Sequence, residues 1–597
     1  MDKNTVIGFS LIFLLMIGWF YFTMPSEEQI AEQRRQQAIQ DSLAFVQGME
    51  DAALAEQNQP AAPSETFIED AEEALTAPSG MFGAIQDSIQ TEFAIETPLY
   101  SAVFTNKGAG PATFTLKTHK TWSGQPVQLI SDTTRSAYNT GFLTTENYNI
   151  ETRNLIFRQV NAGNSVTVAD GDSKELTYVL DLEDGRRLEY TYTFFGDSYE
   201  VDLDVRFVGL RDFIIGREID FGWNSPLNFT ELDRVQEALA TKAYFYSGGE
   251  LEQLKADDYE ENNGVKEQSV NGTIEWVATK TKFFAQIIQP VTPTAGAYLK
   301  GQVNGAVDDP FTDHIYTASV TSDIPSDGVV SFELYLGPMK YYDVKDFNEH
   351  AFDMVEVGYG WLRWFSDPFV RFIVIPFFTF FSGFISNYGV LIIIFAAAVK
   401  LILSPLTIKS YRSMAAMKEL QPQMKEIQEK YKDNPQKQQK ATMDLYRKNK
   451  VNPLGGCLPM LLQFPILITL WQFFQNSILL RQEPFLWVND LSAPDYIINL
   501  PFSIPFLGDQ IAGLVLLMTA SMVLQSKLTG SATGGGASNP MAQQMKIMQY
   551  FLPIMLLFVF NNFASGLSLY YLIFNLLSIV QQLYINKTTH EAAVAKT

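Results

Sequence analysis

Four apolar stretches follow residue 387 of this chain, and we place them at residues 388–406, 457–478, 504–526 and 547–586. A helix rises about 1.5 Å per residue, so about 20 apolar residues cross the ~30 Å hydrocarbon core of a bilayer. The last stretch is too long for one crossing, and the turn composition of NNFASG, residues 561–566, divides it into two helices. The sequence therefore predicts five membrane-spanning helices in this part of the chain.

A further apolar run lies at the start of the chain. Residues 6–24, VIGFSLIFLLMIGWFYFTM, form 19 positions without a charge. A cleaved signal peptide is the alternative, but no small-x-small cleavage site follows the run. We therefore predict an uncleaved N-terminal transmembrane anchor at residues 1–25. Residues 26–85 are rich in Glu, Gln, Ala, Pro and Ser and predict a flexible tether.

The distribution of charge orients these helices. The loop of residues 407–455 holds eleven Lys and Arg against five Asp and Glu, which predicts a cytoplasmic location. Counting spans outward from that loop places the region before residue 345 outside the cytoplasm and both termini inside. Residues 361–381 contain Arg363, Arg371, Pro368 and Pro376. We expect this stretch, within a region of residues 346–387, to be an amphipathic helix lying along the outer interface, because a seventh crossing would reverse the topology.

Residues 86–345 show a period of two instead of a helical period. In ELTYVLDLEDGRRLEYTYTFFGDSYEVDLDVRF, residues 175–207, apolar side chains alternate along three runs that are separated by Asp184-Gly185 and Gly196-Asp197. This pattern predicts an antiparallel meander with one buried face. The runs are Leu176, Tyr178, Leu180 and Leu182; Leu188, Tyr190, Tyr192 and Phe194; and Tyr199, Val201, Leu203, Val205 and Phe207. We predict a large all-β sandwich.

Residues with catalytic potential are sparse in the predicted β domain. Its histidines, His119 and His314, are far apart in sequence and belong to no recognisable motif, and the only cysteine of the chain is Cys457. A pair of carboxylates acting on a sugar is an alternative, since acidic residues abound. Such residues on strands more often form a solvated face. We predict no catalytic residues and no metal site.

The predicted cytoplasmic loop has the pattern of a helical hairpin at residues 408–452. Apolar side chains recur at steps of three and four residues, and Asp433-Asn434-Pro435 interrupts the pattern before a second, Gln-rich helix. Two interpretations stay open, a self-packed pair of helices or a deformable methionine-rich surface that captures apolar segments. The candidate capture residues are Met414, Met417 and Met424.

Lys400 lies inside the apolar run AAAVKLILSPLT, residues 396–407. A charge near the middle of a membrane helix costs about 2.5–3.5 kcal/mol on insertion scales. The side chain could extend to the cytoplasmic interface, or it could face a polar interior site. The residues alone leave both interpretations open.

The sequence resembles the YidC/Oxa/Alb membrane protein insertase family. The resemblance is carried by VKLILSPLTIKSYRSMAAMKELQPQMKEIQEKYKDNPQKQQKATMDLYRKNKVNPLGGCLPMLLQFPILITLWQFF (399–474) and SGLSLYYLIFN (565–575). Two further segments, WVATKTKFFAQIIQP (276–290) and LYLGPMKYY (334–342), resemble the periplasmic domain of the Gram-negative members. The resemblance is dense over residues 355–590 and thin before residue 270.

The resemblance implies a membrane protein of the bacterial inner membrane with an all-α five-helix insertase core at residues 388–590, an N-terminal anchor helix and an all-β sandwich periplasmic domain. It also implies a hydrophilic groove, open to the cytoplasm and to lipid and closed toward the outside. Members usually place an arginine facing this groove at the position of Lys400. The other candidate groove residues are Gln463 and Gln525, with hydrogen bonding between helices as the alternative role, and Tyr570 and Tyr571, with an outer aromatic belt as the alternative. Pro459 and Pro465 either loosen their helix for substrate contact or are tolerated kinks.

The family inserts newly made membrane proteins without hydrolysing nucleotide, and this chain has no glycine-rich phosphate loop ending in Gly-Lys-Ser/Thr. We expect no cofactor and no DNA partner. The expected partners are nascent membrane proteins, the lipid bilayer and the Sec translocon. The ribosome is a further candidate, although the tail offers only Lys587 and Lys596 for RNA contact. A solute or ion transporter and an envelope sugar-active enzyme anchored by a helix bundle are the rival functions.

Overall fold

A computed structural model describes residues 81–82, 89–130, 134–256, 264–305, 312–431, 434–449, 458–504, 507–530 and 551–594. The predicted anchor at residues 1–25 lies outside these ranges. Of the predicted tether, only residues 81 and 82 are described. Phe82 is buried and its ring packs edge-on against Phe142 at 5.7 Å. This residue therefore belongs to the core of the β domain.

The predicted meander is confirmed. The three runs of alternating apolar residues form strands Ser173–Asp181, Arg187–Phe195 and Glu200–Val208, which pair antiparallel in sequence order. Alternate residues of the last two strands are buried, as a period of two requires when one face packs against a core. At the first reversal, Asp184 and Gly185 both have positive φ, which permits the tight turn.

The described strands, labelled in chain order, are β1 Glu92–Glu96, β2 Tyr100–Thr105, β3 Gly110–Lys120, β4 Pro126–Ile130, β5 Tyr138–Leu143, β6 Asn149–Glu151, β7 Arg158–Gln159, β8 Ser165–Thr167, β9 Ser173–Asp181, β10 Arg187–Phe195, β11 Glu200–Val208, β12 Glu218–Trp223, β13 Lys242–Ser247, β14 Glu250–Leu254, β15 Val265–Asn271, β16 Trp276–Lys280, β17 Phe284–Pro290, β18 Thr294–Val303, β19 His314–Asp323, β20 Val329–Pro338, β21 Tyr496–Ile504 and β22 Gly508–Ala512.

The described residues of the β domain form three sheets. A nine-stranded sheet has the order β14-β13-β16-β17-β20-β11-β10-β9-β7, and one of its faces packs against both a six-stranded sheet, β15-β18-β19-β12-β5-β6, and a five-stranded sheet, β4-β3-β2-β1-β8. Phe332 of β20 stacks on Phe221 of β12 with ring centroids 4.3 Å apart, and Phe104 of β2 packs edge-on against Tyr192 of β10 at 5.0 Å. The domain is therefore sandwich-like, with its aromatic core between two layers.

The described helices, labelled in chain order, are α1 Arg234–Ala240, α2 Tyr341–Phe347, α3 Arg363–Phe369, α4 Ile375–Ser382, α5 Tyr388–Glu419, α6 Gln421–Lys430, α7 Pro435–Lys448, α8 Leu458–Asn476, α9 Gly513–Gly530, α10 Phe551–Phe560 and α11 Ser565–Val594. A π turn, Val370–Val374, joins α3 to α4. Helices α5, α8, α9, α10 and α11 correspond to the five predicted spans. The predicted division at NNFASG is confirmed, because residues 561–564 separate α10 from α11.

Length and composition identify three described helical stretches as able to cross a membrane, namely Gly360–Ser382, Tyr388–Ser413 and Ser565–Thr588. The first is the stretch that we predict to lie along the interface, and that assignment stays a prediction. Its side chains Trp364 and Phe380 are largely exposed, as contact with lipid in either arrangement requires.

One predicted span is wrong at its start. The apolar run placed at 504–526 becomes helical only at Gly513, and the residues before it form the hairpin of β21 and β22. Two polar contacts explain the late start of α9. Asp495 Oδ2 accepts a hydrogen bond from Leu514 N at 2.8 Å, and Asp495 O accepts one from Gly513 N at 3.0 Å. A side-chain acceptor at the first free amides of a helix sets its beginning.

The β domain is attached to the helix bundle around Arg481, which lies in the loop that follows α8. The guanidinium Nε donates to Glu231 Oε1 at 2.7 Å and Nη2 donates to Lys120 O at 2.6 Å, while the group lies 5.2 Å from the centroid of the Phe284 ring. A second contact joins Asn476 Nδ2 of α8 to Glu356 O at 2.9 Å. These contacts hold the β domain against the end of α8 and the loop that follows it.

Candidate functional site

Lys400 belongs to α5, and its buried side chain contacts α11. The residue is only 6% exposed, and its Nζ donates a hydrogen bond to Ser578 Oγ of α11 at 2.7 Å. The ammonium also lies 4.8 Å from the centroid of the Phe574 ring and 5.7 Å from that of Tyr411. A hydroxyl group and two aromatic faces thus hold the charge. Since Tyr411 is three helical turns nearer the predicted cytoplasmic end of α5, the two side chains extend toward each other along the helix axis.

A stripe of polar side chains on α11 continues this site in both directions. Ser568, Tyr571, Asn575, Ser578 and Gln582 recur at steps of three and four residues, and all five are buried. Residues at this spacing lie on one face of a helix. This face of α11 therefore presents a line of hydroxyl and amide groups to the interior of the bundle instead of an apolar seam.

Neighbouring helices supply polar partners to α11. Asn575 Nδ2 donates to Ser521 Oγ of α9 at 3.2 Å. On the α5 side, Gln581 Nε2 donates to Ser404 Oγ at 2.9 Å and Gln581 Oε1 accepts from Thr407 Oγ1 at 3.2 Å. Hydrogen bonds of this kind satisfy polar groups that lipid cannot solvate. Three helices thus share one polar interior, and we call the residues Lys400, Ser404, Thr407, Tyr411, Ser521, Gln525, Asn575, Ser578 and Gln581 the polar path.

The predicted groove residues separate into two groups in the structure. Gln525 interacts with the Tyr411 hydroxyl group and so joins Lys400 in the polar path. Gln463 is partly buried on α8. Tyr570 and Tyr571 are buried among aromatic rings, with Phe395 6.1 Å from Tyr570 and Phe560 6.2 Å from Tyr571, so neither ring lies on an open surface.

The structure also places the predicted flexible and capturing residues. Pro459 and Pro465 both lie within α8, and the side chain of Pro459 is outside the described part. Met414 and Met417 lie in the C-terminal part of α5, with undescribed side chains. Met424 of α6 is partly buried, and its Sδ accepts a hydrogen bond from Tyr446 of α7 at 3.2 Å. The two hairpin helices therefore pack together at this position.

The outer ends of α9 and α11 meet one loop, residues 490–495. At the start of α11, Ser565 N donates to Ala493 O and Gly566 N donates to Leu491 O, both at 2.9 Å, and Ser565 Oγ donates to Asp490 O at 3.0 Å. A Cβ atom on Gly566 would lie 3.0 Å from Leu491 O, so glycine permits this close approach. Together with Asp495 at the start of α9, the loop satisfies the free amides of both helices. This loop thus connects the N-terminal ends of α9 and α11, whereas the polar-path residues of these two helices lie further along them.

Sequence reasoning missed most of the polar path. Seven of its nine residues were not predicted, namely Ser404, Thr407, Tyr411, Ser521, Asn575, Ser578 and Gln581. The signal that could have identified the α11 members is the spacing of Ser568, Tyr571, Asn575, Ser578 and Gln582 within an otherwise apolar span. Polar residues recurring on one face of a membrane helix indicate a face turned away from lipid. The partners on α5 and α9 carry no such local signal.

The chain is similar to known proteins over nearly its whole length. Residues 380–592 match the family model described as 60Kd inner membrane protein, and residues 92–372 match the YidC periplasmic domain. A relative from Chlorobium luteolum named membrane protein insertase YidC is 39% identical over 598 residues, which is 99% of this chain and 96% of the relative. A relative of the same name from Chlorobium phaeovibrioides is 38% identical over 595 residues, with the same two coverages.

Among solved structures, a galactose mutarotase-like protein from Lactobacillus casei covers 42% of this chain and 100% of its own, at 10% identity and a TM-score of 0.26. This similarity is too low to support a conclusion about the fold or the function of the chain. The family matches and the full-length relatives agree with each other and with the two-part architecture. The chain belongs to the YidC family of membrane protein insertases.

Proposed function

We propose that this protein inserts newly made membrane proteins into the bacterial inner membrane, and that the polar path around Lys400 is where the leading polar segment of a substrate enters the bilayer. The family membership, the apolar helices and the periplasmic type of β domain support an insertase of the inner membrane. The observation that carries the role of the polar path is the buried ammonium of Lys400 with neutral described contacts.

The energetics of that ammonium favour an acidic partner. An ammonium has three N–H donors, and the hydrogen bond to Ser578 uses one of them. Contacts with aromatic faces return about 0.5–2 kcal/mol each, which is comparable to the cost of about 2.5–3.5 kcal/mol for a charge in the membrane, but they supply no counter-charge. A carboxylate that arrives with a substrate would gain a charge-assisted hydrogen bond in a medium of low dielectric constant. Lys400 therefore attracts acidic or polar segments as they enter the inner leaflet.

Lysine in place of the arginine usual in the family changes the kind of recognition. A guanidinium presents a planar fork that matches a carboxylate in two-point contact, whereas an ammonium acts as a point charge with rotatable donors. Capture by Lys400 thus depends on charge and not on a fixed geometry. The polar path shortens the apolar distance that a hydrophilic tail must cross, and the following apolar helix of the substrate then partitions into lipid.

The remaining features of the proposal concern topology and partners. We assign six spans with both termini in the cytoplasm and the β domain in the periplasm, with residues 346–387 at the outer interface. The hairpin of α6 and α7, with Met424 between its helices, faces the cytoplasm and receives apolar segments before they enter the bilayer. The Sec translocon and the ribosome are proposed as additional partners.

The test is insertion of single-span substrates into vesicles that contain the purified full-length protein. One substrate has an acidic outer tail and a second has a neutral tail of the same length. We expect Lys400→Leu to reduce insertion of the acidic-tail substrate at least tenfold and to spare the neutral one, because only the acidic tail needs the charge. Lys400→Arg should keep insertion within about threefold of wild type, since it retains the charge.

Lys409→Leu provides the matched control, because Lys409 lies on the same helix and is exposed. This variant should insert both substrates like wild type. Equal insertion of both substrates by Lys400→Leu and wild type would show that the charge is dispensable. Equal loss for both tails would assign Lys400 to the stability of the bundle instead of tail capture, and thermal unfolding of the same preparations would then show a lowered midpoint.

A further inference from the structure

The hairpin of β21 and β22 exposes apolar side chains on both of its faces. Ile497 is 56% exposed and Phe502 is 61% exposed, and Ile498 is also exposed. Tyr496 pairs with Ala512 and Ile498 pairs with Ile511, and both Tyr496 and Ile498 are exposed. Successive residues of β22 point to opposite faces, so their partners Tyr496 and Ile498 lie on opposite faces of the hairpin. A hairpin at an aqueous surface normally buries one apolar face and exposes a polar one. Neither face of this hairpin follows that pattern.

The charge of the hairpin is equally unusual for a periplasmic loop. Residues 496–512 contain one charged residue, Asp509, which is exposed. Strands at an exposed edge usually carry Lys or other charges that prevent pairing with another chain, whereas this hairpin has only register irregularities, between Tyr496 and Ile498 and between Asn499 and Ile504. Exposed apolar surface costs about 25 cal/mol per Å² relative to burial, and contiguous patches of it mark sites of contact with a protein or a membrane. The hairpin therefore requires an apolar neighbour.

The attachment of the hairpin places it at the outer boundary of the membrane helices. Asn561, at the end of α10, is buried, donates from Nδ2 to Leu507 O at 2.9 Å and to Gln510 O at 2.7 Å, and accepts at Oδ1 from Ala512 N at 2.9 Å. Strand β22 ends at Ala512 and α9 begins at the next residue. The hairpin is thus held at the outer ends of two apolar helices and is continuous with their lipid-facing surfaces.

We propose that this hairpin is a lipid-binding element that lies in the outer leaflet, at the boundary between headgroups and acyl chains. Its occupant is the bilayer and not a protein partner, because the apolar residues cover both faces and are continuous with the surfaces of α9 and α10. Among the described residues β21 and β22 form a sheet only with each other, and the N–H and C=O groups on their outer edges need water or headgroups, which keeps the hairpin from sinking deeper. Pro501 in β21 removes one such donor. Trp487 is half-exposed beside the start of α9, and its Nε1 donates to Asp495 Oδ2 at 2.9 Å. Tryptophan is enriched at the headgroup region of membranes, which agrees with the same position for the hairpin.

The experiment uses the full-length protein in lipid nanodiscs with an environment-sensitive NBD label on a single cysteine. Cys457→Ser supplies a background without the native cysteine, and Phe502→Cys and Ile497→Cys label two exposed positions of β21. Ser123→Cys, at an exposed position of the β domain, is the aqueous control, and Ile402→Cys on the exposed side of α5 is the lipid control. Lipids with a doxyl quencher at carbon 5 or carbon 12 report the depth of each label.

We expect both hairpin labels to emit at shorter wavelength than the Ser123 label and to be quenched at least twofold more by the shallow quencher than by the deep one. Iodide in the buffer should quench them less than it quenches the Ser123 label. Emission and iodide quenching equal to those of the Ser123 label would overturn the proposal, because the hairpin would then lie in water. Labels that are dry but not quenched by either lipid would overturn it as well, since another protein surface would then cover the hairpin. Agreement of the two independent positions guards against a local effect of one substitution.

Discussion

Arg481 is expected to control how firmly the β domain is attached to the membrane bundle. Its side chain is 3% exposed and that of its partner Glu231 is 11% exposed, and Nε lies 2.7 Å from Glu231 Oε1. Replacing Arg481 with Met keeps packing against Phe284 but removes the cation paired with the Glu231 carboxylate, and Lys282 is a cation that remains near it. Breaking a buried pair in this way costs about 3–5 kcal/mol.

The lower end of that range is appropriate here for two reasons. Glu231 Oε1 also accepts a hydrogen bond from Thr230 Oγ1 at 2.8 Å, which continues to stabilise the carboxylate in the variant. The Lys120 carbonyl group that loses its donor still bonds with Gln482 Nε2 at 2.8 Å. We therefore expect a loss of about 3 kcal/mol in the free energy of local opening. At about 1.4 kcal/mol per factor of ten, this corresponds to roughly hundredfold faster amide exchange.

Hydrogen exchange measured by mass spectrometry on the full-length protein in nanodiscs tests this expectation. The informative amides are those of Thr230 and Glu231, which donate to the buried Glu237 carboxylate at 2.9 Å each, and peptides covering residues 226–240 report them. Arg158→Met is the matched control. Arg158 pairs with Asp181 at 2.6 Å, but both side chains are more than half exposed, so the loss should stay below about 1 kcal/mol.

A double variant separates loss of the pair from loss of packing. Arg481→Met with Glu231→Gln removes the unpaired charge, so it should recover at least half of the protection that Arg481→Met loses. Exchange in Arg481→Met that matches Arg158→Met would refute the reasoning, since the contact would then contribute no more than an exposed pair. Equal exchange in the single and double variants would show that the guanidinium acts through packing and not through its charge.

Three further predictions concern other buried polar groups. Burial raises the pKa of Glu237 from 4.5 to about 7. Between these two pH values the folded protein keeps this proton, whereas the unfolded chain has lost it. The free energy of unfolding should therefore increase by up to about 3 kcal/mol as the pH falls from 7 to 4.5. The unfolding midpoint should therefore rise over this range in wild type more than in Glu237→Gln, and parallel pH profiles would contradict the assignment. Asn561→Ala removes hydrogen bonds to Leu507 O, Gln510 O and Ala512 N, and amides of the β21–β22 hairpin should exchange at least tenfold faster, with no such change in the β domain. Asp495→Ala removes the acceptor at the start of α9 and should cost about 1 kcal/mol, seen as a lowered thermal midpoint, whereas Asp509→Ala at an exposed position should leave the midpoint unchanged.

The elements that could be predicted are those with a local signal. The alternation of apolar residues over 175–207 is a property of neighbouring positions, and it specified three strands, their order and their buried face. The lengths of the apolar runs similarly indicated the helices of the bundle and the break before α11. The error at residues 504–512 has the same origin, because an apolar run alone does not distinguish a helix from a hairpin that lies in lipid.

The candidate site was predictable only in part. Lys400 was identifiable because a charge in an apolar run is costly wherever the chain folds. Its partner Ser578 is 178 positions away, and nothing near either residue specifies the pairing. Gln525 was proposed as a groove residue, and the structure places it beside Tyr411, which sequence reasoning did not select. Tyr570 and Tyr571 matched a family motif, yet they are buried among aromatic rings.

The sequence by itself determined the two-part architecture, the helical core, the meander and the presence of one lysine inside an apolar run. These properties follow from periodicity and from transfer energies, which depend on residues close together in the chain. The tertiary structure alone decided which hydroxyl group and which aromatic rings contact that lysine. It also decided which loop hydrogen-bonds to the first amides of α9 and α11, and where Arg481 binds the β domain. Such contacts join residues that are distant in sequence, and only the packing of whole helices and sheets brings them together.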